Sequence, residues 1–531
     1  MTATEGKPRY LLGVDVGQTA VKAVIFDEQM RPVAVARRAS PVDRSVSRRA
    51  ERTQAALWDA TAEAIAEAIA EASLSPLRFN PHDIAAIGIT GHGDGLHLVR
   101  ADGTAASPAI TAMDSRAHAE AAELEAQPAR MTVILERSGQ VPTAGAVGNI
   151  LRWLLRNEPE VVETAHMMLF CKDVIRLQLT GEFSTDYSDA CASFLDTGSA
   201  NWSSELIEAY GLPESIMSLL PELKCSGEIV GRVLAEAAAK TGLAVGTPVI
   251  SGMHDVQAAS IGMGALIPGR LALVAGSFTT NGVTTRHTDV DPRWQSRLSI
   301  TPDLRIAMST SATASPALDW IFGLLGATGD EARDALLANA TALDPQEEVP
   351  LILPFLVDSP LGAQASSVFA GIRGWQTSAH IVRGVLEGVA LMHFWHTRAL
   401  AEKFTWEEPV LLSGGVSRSP LYAQLVANAL RMPVRVIDTV EAGAFGAAAV
   451  AGVSLGMFNS IESAQEEFVR RGAVITPTAE SAGYWSDVQA AFDELIAATE
   501  PWWAAQAMRA SRGAAGSHAQ SNACADDAGE A

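Results

Sequence analysis

The chain has 531 residues, enough for two domains with separate cores. Its formal charge of −22 argues against nucleic acid or an anionic membrane as main partner, since both demand a basic face; a small phosphorylated ligand stays possible, held by local N–H dipoles and a metal. A polar Met1–Arg9, no apolar run near the ~20 residues of a membrane span and four cysteines without paired spacing predict a cytoplasmic protein with reduced thiols.

Tyr10–Val14, Val21–Phe26 and Pro32–Ala39 read as three short strands. Between the first two, Asp15 leads into the tight turn Gly17-Gln18-Thr19. Such a turn can offer backbone N–H groups to phosphate oxygens, and the carboxylate can hold a hydrated divalent cation. The same residues also fit an ordinary hairpin with a solvated aspartate. A helix over Ala50–Ala72 and a buried strand over Ile84–Thr90 complete a β-β-β-α-β order, half of a ribonuclease-H-like domain. The second half repeats the plan loosely. Pro248–Ser251, Leu271–Ala275 and Gly282–Thr285 are strand-like, with a second glycine turn at Gly276-Ser277-Phe278-Thr279. Helices are predicted at Ala379–Phe404 and Leu421–Leu430. The strand Val410–Ser413 runs into Gly414-Gly415, and a small-residue helix follows at Ala442–Ala451. The expected domains are 8–246 and 247–503, with loops between 100 and 240 building the substrate side and a disordered tail over 504–531.

No Gly-x4-Gly-Lys-Ser/Thr loop, His-Glu-x-x-His motif or Gly-x-Ser-x-Gly elbow occurs. His393 and His396 lie one helical turn apart and read as a core or surface pair before a metal site.

The order of motifs resembles the FGGY carbohydrate kinases from about Tyr10 to Trp503. The phosphate turn Asp15-Val-Gly17-Gln18-Thr19 comes first, followed by Asp114-Ser-Arg116, Cys171-Lys172-Asp173 and the run Leu179–Ala190. Then come Gly252-Met-His-Asp255, Gly276-Ser277, Gly371-Ile372 with His380 and Leu386-Glu387-Gly388, Gly414-Gly415-Val-Ser417-Arg-Ser419, and Glu441-Ala-Gly-Ala-Phe-Gly446. The resemblance implies an α/β fold of two ribonuclease-H-like, actin-like ATPase domains around an interdomain catalytic cleft. It makes Asp255 the general base and Asp15 the Mg²⁺ residue. Gly17, Gln18 and Thr19 would face the β- and γ-phosphates from one side, with Gly276, Ser277 and Thr279 on the other. Gly414 and Gly415 would lie flat against adenine, with Ser419 and Asn428 on the nucleoside side. Lys22 is placed either near phosphate or toward solvent.

The loop Thr90-Gly91-His92-Gly93-Asp94-Gly95 sits where the family holds its substrate, so His92, Gly93, Asp94 and Asp255 are the substrate-side residues. A short carboxylate between glycines can accept two hydroxyl hydrogen bonds. Gly93-Asp94 and the apolar Val256 depart from glycerol and D-xylulose kinases. The Gly-Asp-Gly loop looks like that of erythritol kinases, and Asp255-Val256 like that of L-xylulose kinases. The expected activity is ATP-dependent phosphorylation of a four- or five-carbon sugar or polyol. An actin-superfamily ATP-binding chaperone or regulator without a small-molecule acceptor is the alternative, and a homodimer is left open.

Overall fold

The computed structural model describes residues 9–526 apart from 76–78, 277, 358, 363, 438–440 and 466–471. Tyr10–Val16 is buried along nearly its whole length, as befits a central strand covered on both faces. It pairs antiparallel with Ala20–Phe26, setting Asp15 opposite Lys22, and parallel with Ile84–Gly91, setting Asp15 opposite Thr90. Pro32–Ala39 extends the hairpin on one side. On the other side, beyond Ile84–Gly91, lie Pro248–Ile250 and then Ile229–Arg232. The second sheet repeats this plan. Arg270–Ala275 is antiparallel to Thr279–Thr285 and parallel to Glu407–Ser413; Arg305–Ser311 and Gln295–Leu298 continue one edge, Val434–Val436 and Val474–Ile475 the other. Each sheet has its own apolar core, giving the expected two-domain α/β architecture.

Several boundaries move. The first long helix spans Gln54–Leu74, capped by Thr53, whose hydroxyl accepts Ala56 N–H at 3.2 Å. The second-half helices run Ser378–Ala401, Pro420–Leu430 and Ala442–Ser454. The boundary expected near Gly246 cuts through the first sheet, because Val249 pairs with Ile87 and Met253–His254 pairs with Thr90–Gly91. A short apolar run reads alike whether it closes one sheet or opens the next. Residues 100–240 are not mainly loops: helices such as Pro128–Ser138 and Val147–Asn157 enclose a third apolar cluster around Leu124, Ile134, Leu151 and Phe194. The stretch from residue 504, expected as a disordered tail, continues the last helix, Ala482–Asp526, to Asp526; its alanine-rich composition favours that outcome. Trp503, the last residue before the expected tail, is buried near Phe355.

The two lobes meet backbone to backbone. The helix Ala442–Ser454 lies across the first sheet, and a Cβ on Gly13 would fall 2.0 Å from Ala444 O, one on Gly88 2.0 Å from Ala447 O. In return, a Cβ on Gly446 would strike Ala258 O at 2.0 Å. The glycine and alanine content of Ala442–Ser454 serves this close approach.

Candidate active site

Functional loops leave both sheets at the carboxyl ends of paired parallel strands, where ligands bind in open α/β sheets. In the first, Val16 is paired with Gly91, so the Gly17-Gln18-Thr19 turn and the His92–Gly95 loop emerge side by side. In the second, Val274 is paired with Ser413, which puts Ala275 beside Gly414, just before the Gly276 turn.

Asp15 lies under the first turn. Lys22 faces it across the hairpin at 3.5 Å and reaches Glu441 at 2.9 Å, so this lysine points toward the turn. Glu441 also pairs with Arg37 and introduces the interlobe helix. Burial pushes the Asp15 carboxyl up to about 6; Lys22 opposes the rise, while Asp255 and Glu441 add to it. Asp15 and Asp255 offer the hard oxygen donors that Mg²⁺ takes, whereas Glu441 is already engaged by Lys22 and Arg37. The turn itself is more constrained than expected. Gly17 N–H is spent on Ala20 O at 3.0 Å, and Gln18 O is held by Arg52. The N–H groups of Gln18 and Thr19 have no partner among the described residues.

The His92–Gly95 loop, expected on the substrate side, is built on contact. A Cβ on Gly93 would overlap His254 Nε2 at 1.7 Å, so only glycine lets the imidazole lie there. Asp94 takes a left-handed conformation (φ 53°), which aspartate tolerates, and its Oδ2 accepts Arg297 Nη2 at 2.8 Å. Its Oδ1 is buried without a partner among the described residues. Burial alone would raise the Asp94 carboxyl; Arg297 reverses this and holds it below the usual range. His92 is buried behind the loop, its N–H donating to Val16 O at 2.9 Å.

Asp255 opens the helix Asp255–Gly262. Gly252 (φ 81°), where a Cβ would meet Ile89 O at 2.2 Å, turns the chain just before it. Asp255 Oδ1 lies 2.9 Å from His254 Nδ1. Burial would raise this carboxyl too, but the neighbouring imidazole keeps it low. Arg297 Nη1 stands 3.2 Å from His254 Nε2. A guanidinium can only donate, which leaves Nε2 bare and puts the imidazole proton on Nδ1 toward Asp255; the Val256 N–H, 3.2 Å from Nδ1, is a contact this tautomer does not use. Burial lowers the imidazole pKa and Asp255 raises it, for a net rise. The Arg297 contact nonetheless requires the neutral ring. Asp94, Arg297, His254 and Asp255 thus form one hydrogen-bonded chain, with Gln140 Oε1 accepting from Arg297 Nη2 at 2.8 Å.

A buried network anchors this chain from behind. Lys172 Nζ lies 2.6 Å from Asp173, 3.0 Å from Asp186 and 3.0 Å from Asp189. Asp186 accepts the Ser188 hydroxyl at 2.6 Å, and that hydroxyl accepts His254 N–H at 2.9 Å.

In the loops of the second sheet, where nucleotide contacts were expected, Gly276 N–H closes its own turn onto Phe278 O at 3.1 Å, and the Thr279 hydroxyl is buried against Thr313 at 2.9 Å. Ser277 lies outside the described residues. Gly414 (φ 104°) packs on the adjoining strand, where a Cβ would meet Ala275 O at 2.3 Å, whereas nothing lies within 4 Å of a Cβ on Gly415. Ser419 caps the helix Pro420–Leu430, accepting Tyr422 N–H at 3.5 Å. Asn428 Oδ1 accepts Thr478 N–H at 2.9 Å. Sequence reasoning missed Arg297 and Gln140, which carry no motif. It quoted His254 without a role, although adjacency to Asp255 was the available signal. His393 and His396 are core residues, bonded to Asn281 at 2.6 Å and Ser309 at 2.7 Å.

The N-terminal domain of the FGGY family of carbohydrate kinases matches residues 10–262, and its C-terminal domain matches residues 271–455. The chain belongs to the FGGY family of carbohydrate kinases. It is 28% identical over 447 residues to a probable L-xylulose kinase of Pasteurella multocida, covering 83% of this chain and 90% of that one. It is 27% identical over 497 residues to the L-xylulose/3-keto-L-gulonate kinase of Escherichia coli, covering 93% and 97%. Among solved structures, the xylulose kinase from Rhodospirillum rubrum superposes with a TM-score of 0.84 at 28% identity, covering 93% of this chain and all of the other. As an FGGY kinase the chain is a phosphotransferase that moves phosphate from ATP to a sugar. No helix among the described residues is long and apolar enough to cross a membrane.

Proposed function

We propose that this FGGY kinase phosphorylates a hydroxyl of a four- or five-carbon sugar or polyol, of the L-xylulose or erythritol kind, with Asp255 as the general base. The observation that carries the reading is the vacant hydrogen-bond capacity of Asp94 Oδ1, joined through Arg297 and His254 to Asp255. Asp94 accepts one substrate hydroxyl through Oδ1, since Oδ2 is committed to Arg297. Asp255 orients the reacting hydroxyl and accepts its proton late, its low pKa making it a weak base. His254 fixes the rotamer of that carboxylate. Asp15 is the residue that would hold Mg²⁺, which would neutralise phosphate charge when bound. The N–H groups of Gln18 and Thr19 face the transferring phosphate, and Gly415 gives the adenine its flat approach. The likeness to L-xylulose kinases supports the ketopentose side of this range.

The test is a set of parallel coupled assays with ATP and Mg²⁺ on erythritol, L-xylulose, glycerol and D-xylulose. The first two are expected among the better substrates and the last two to be poor. Robust turnover of glycerol would remove the basis of the assignment.

A further inference from the structure

Behind the substrate loop, His92, His97 and Cys171 converge from three elements. One ring nitrogen of each histidine and Cys171 Sγ all lie within 4.8 Å of one another. The side chains are buried, with 3%, 4% and 1% of their residues' surfaces exposed. His92 Nδ1 and His97 Nε2 are closed to solvent and have no hydrogen-bond partner among the described residues. Leaving two such atoms unpaired is costly unless a ligand meets them. Cys171 Sγ makes only a weak 3.8 Å contact with Val16 O. Burial holds His92 down at about 4 and His97 at about 3, so both rings carry a free lone pair at neutral pH.

We propose that His92, His97 and Cys171 form a binding site for a borderline divalent cation such as Zn²⁺. Its occupation restrains the substrate loop through His92 and inhibits the kinase. Two imidazoles and one thiolate are a zinc-like donor set and unsuited to Mg²⁺, which prefers oxygen. A water molecule would complete the tetrahedron. Bonds of about 2.0–2.3 Å place tetrahedral ligand atoms roughly 3.4 Å apart, so the side chains must draw in by up to about 1 Å. Burial raises the Cys171 thiol far above neutral pH, so the cation binds with release of the thiol proton to solvent. Arg52 opposes a cation here. Asp189, Asp255 and Asp173 act on the same thiol with the opposite sign and offset it.

Co²⁺ titration of the full chain reports the site directly. Thiolate-to-cobalt charge-transfer absorption is expected to saturate near one equivalent and to be displaced by Zn²⁺. Cys171→Ser should abolish this absorption, His97→Phe should weaken binding by at least about tenfold, and Cys225→Ser, at an exposed thiol, should change neither. In assays with excess Mg²⁺, Zn²⁺ should inhibit the wild type reversibly by chelator and leave Cys171→Ser active. Cobalt absorption that survives Cys171→Ser would overturn the proposal. Equal zinc inhibition in both proteins would place the effect at Asp15 and would also overturn it. The binding arm stands whatever the sugar, so its failure is distinguishable from an error in the substrate assignment.

Discussion

Arg297, on a strand of the second sheet, donates to Asp94 in a loop of the first, Nη2 to Oδ2 at 2.8 Å. With Arg297 almost fully buried, this ion pair ties the substrate loop to the opposite lobe. Arg297→Met should raise KM by about one to two decades with a smaller change in kcat, because Asp94 then loses its orientation. Arg297→Lys should rescue little, since a point charge cannot serve Asp94, Gln140 and His254 together. An unchanged KM in steady-state assays would show that the pair only joins the lobes.

Asp94→Ala is expected to lower kcat/KM for the true substrate by roughly one to two decades and to flatten discrimination among polyols. Combined with Arg297→Met it should cost much less than the sum, because the two side chains act as a unit. Additive losses in a double-mutant cycle would contradict this.

Asp255→Asn should reduce turnover by about two decades or more while leaving ATP binding nearly intact. A variant retaining more than about a tenth of wild-type turnover would dismiss Asp255 as the base.

The raised pKa of Asp15 predicts two pH effects of opposite sense. A carboxyl lifted from 3.8 to about 6 stabilises the unliganded fold at low pH. That contribution is lost as pH rises through about 6. Mg²⁺-dependent ATP binding should do the reverse and fail as pH falls below about 6, where the proton competes. Because the charge on Asp255 helps raise Asp15, Asp255→Asn should carry ATP binding to lower pH. Calorimetry of the two proteins between pH 5 and 8 checks the shift; superimposable profiles would refute the coupling.

Lys172→Met leaves Asp186 and Asp189 buried without their shared cation, while Asp173 keeps Arg176 at 3.0 Å. A loss of about 3–5 kcal/mol in denaturant unfolding is expected, as for other broken buried ion pairs. A loss under about 1 kcal/mol would mean that proton uptake compensates, a course open to Asp189, whose carboxyl burial already pushes up to about 7.

The repeated strand pattern was legible because alternating and continuous apolar runs, glycine turns and their order survive in one dimension. Asp15, Asp94 and Asp255 were legible in part: Asp94 stands between two glycines, and Asp15 and Asp255 each follow or precede one within three residues, which marks the turns they occupy; the roles expected of them came from the resemblance to the family. Arg297 was not, because an arginine in Gln295–Leu298 looks like any exposed strand residue until Asp94, 203 positions earlier, folds against it. The strand Pro248–Ile250 was assigned to the wrong sheet for the same reason, since pairing with Ile84–Gly91 is a long-range fact. The hydrogen bonds that occupy Gly17 N–H and the Thr279 hydroxyl likewise depend on neighbours that residue types do not announce.

The glycine seam along Ala442–Ser454 restricts how the molecule can move. Main-chain carbonyls stand where side chains usually cushion two packed elements, so translation along the seam would drive Ala444 and Ala447 into the strands carrying Gly13 and Gly88. The two halves of the cleft therefore cannot slide past one another here without steric conflict, and Asp15 lies beside this fixed seam, its carboxylate 2.9 Å from where a Cβ on Gly443 would stand.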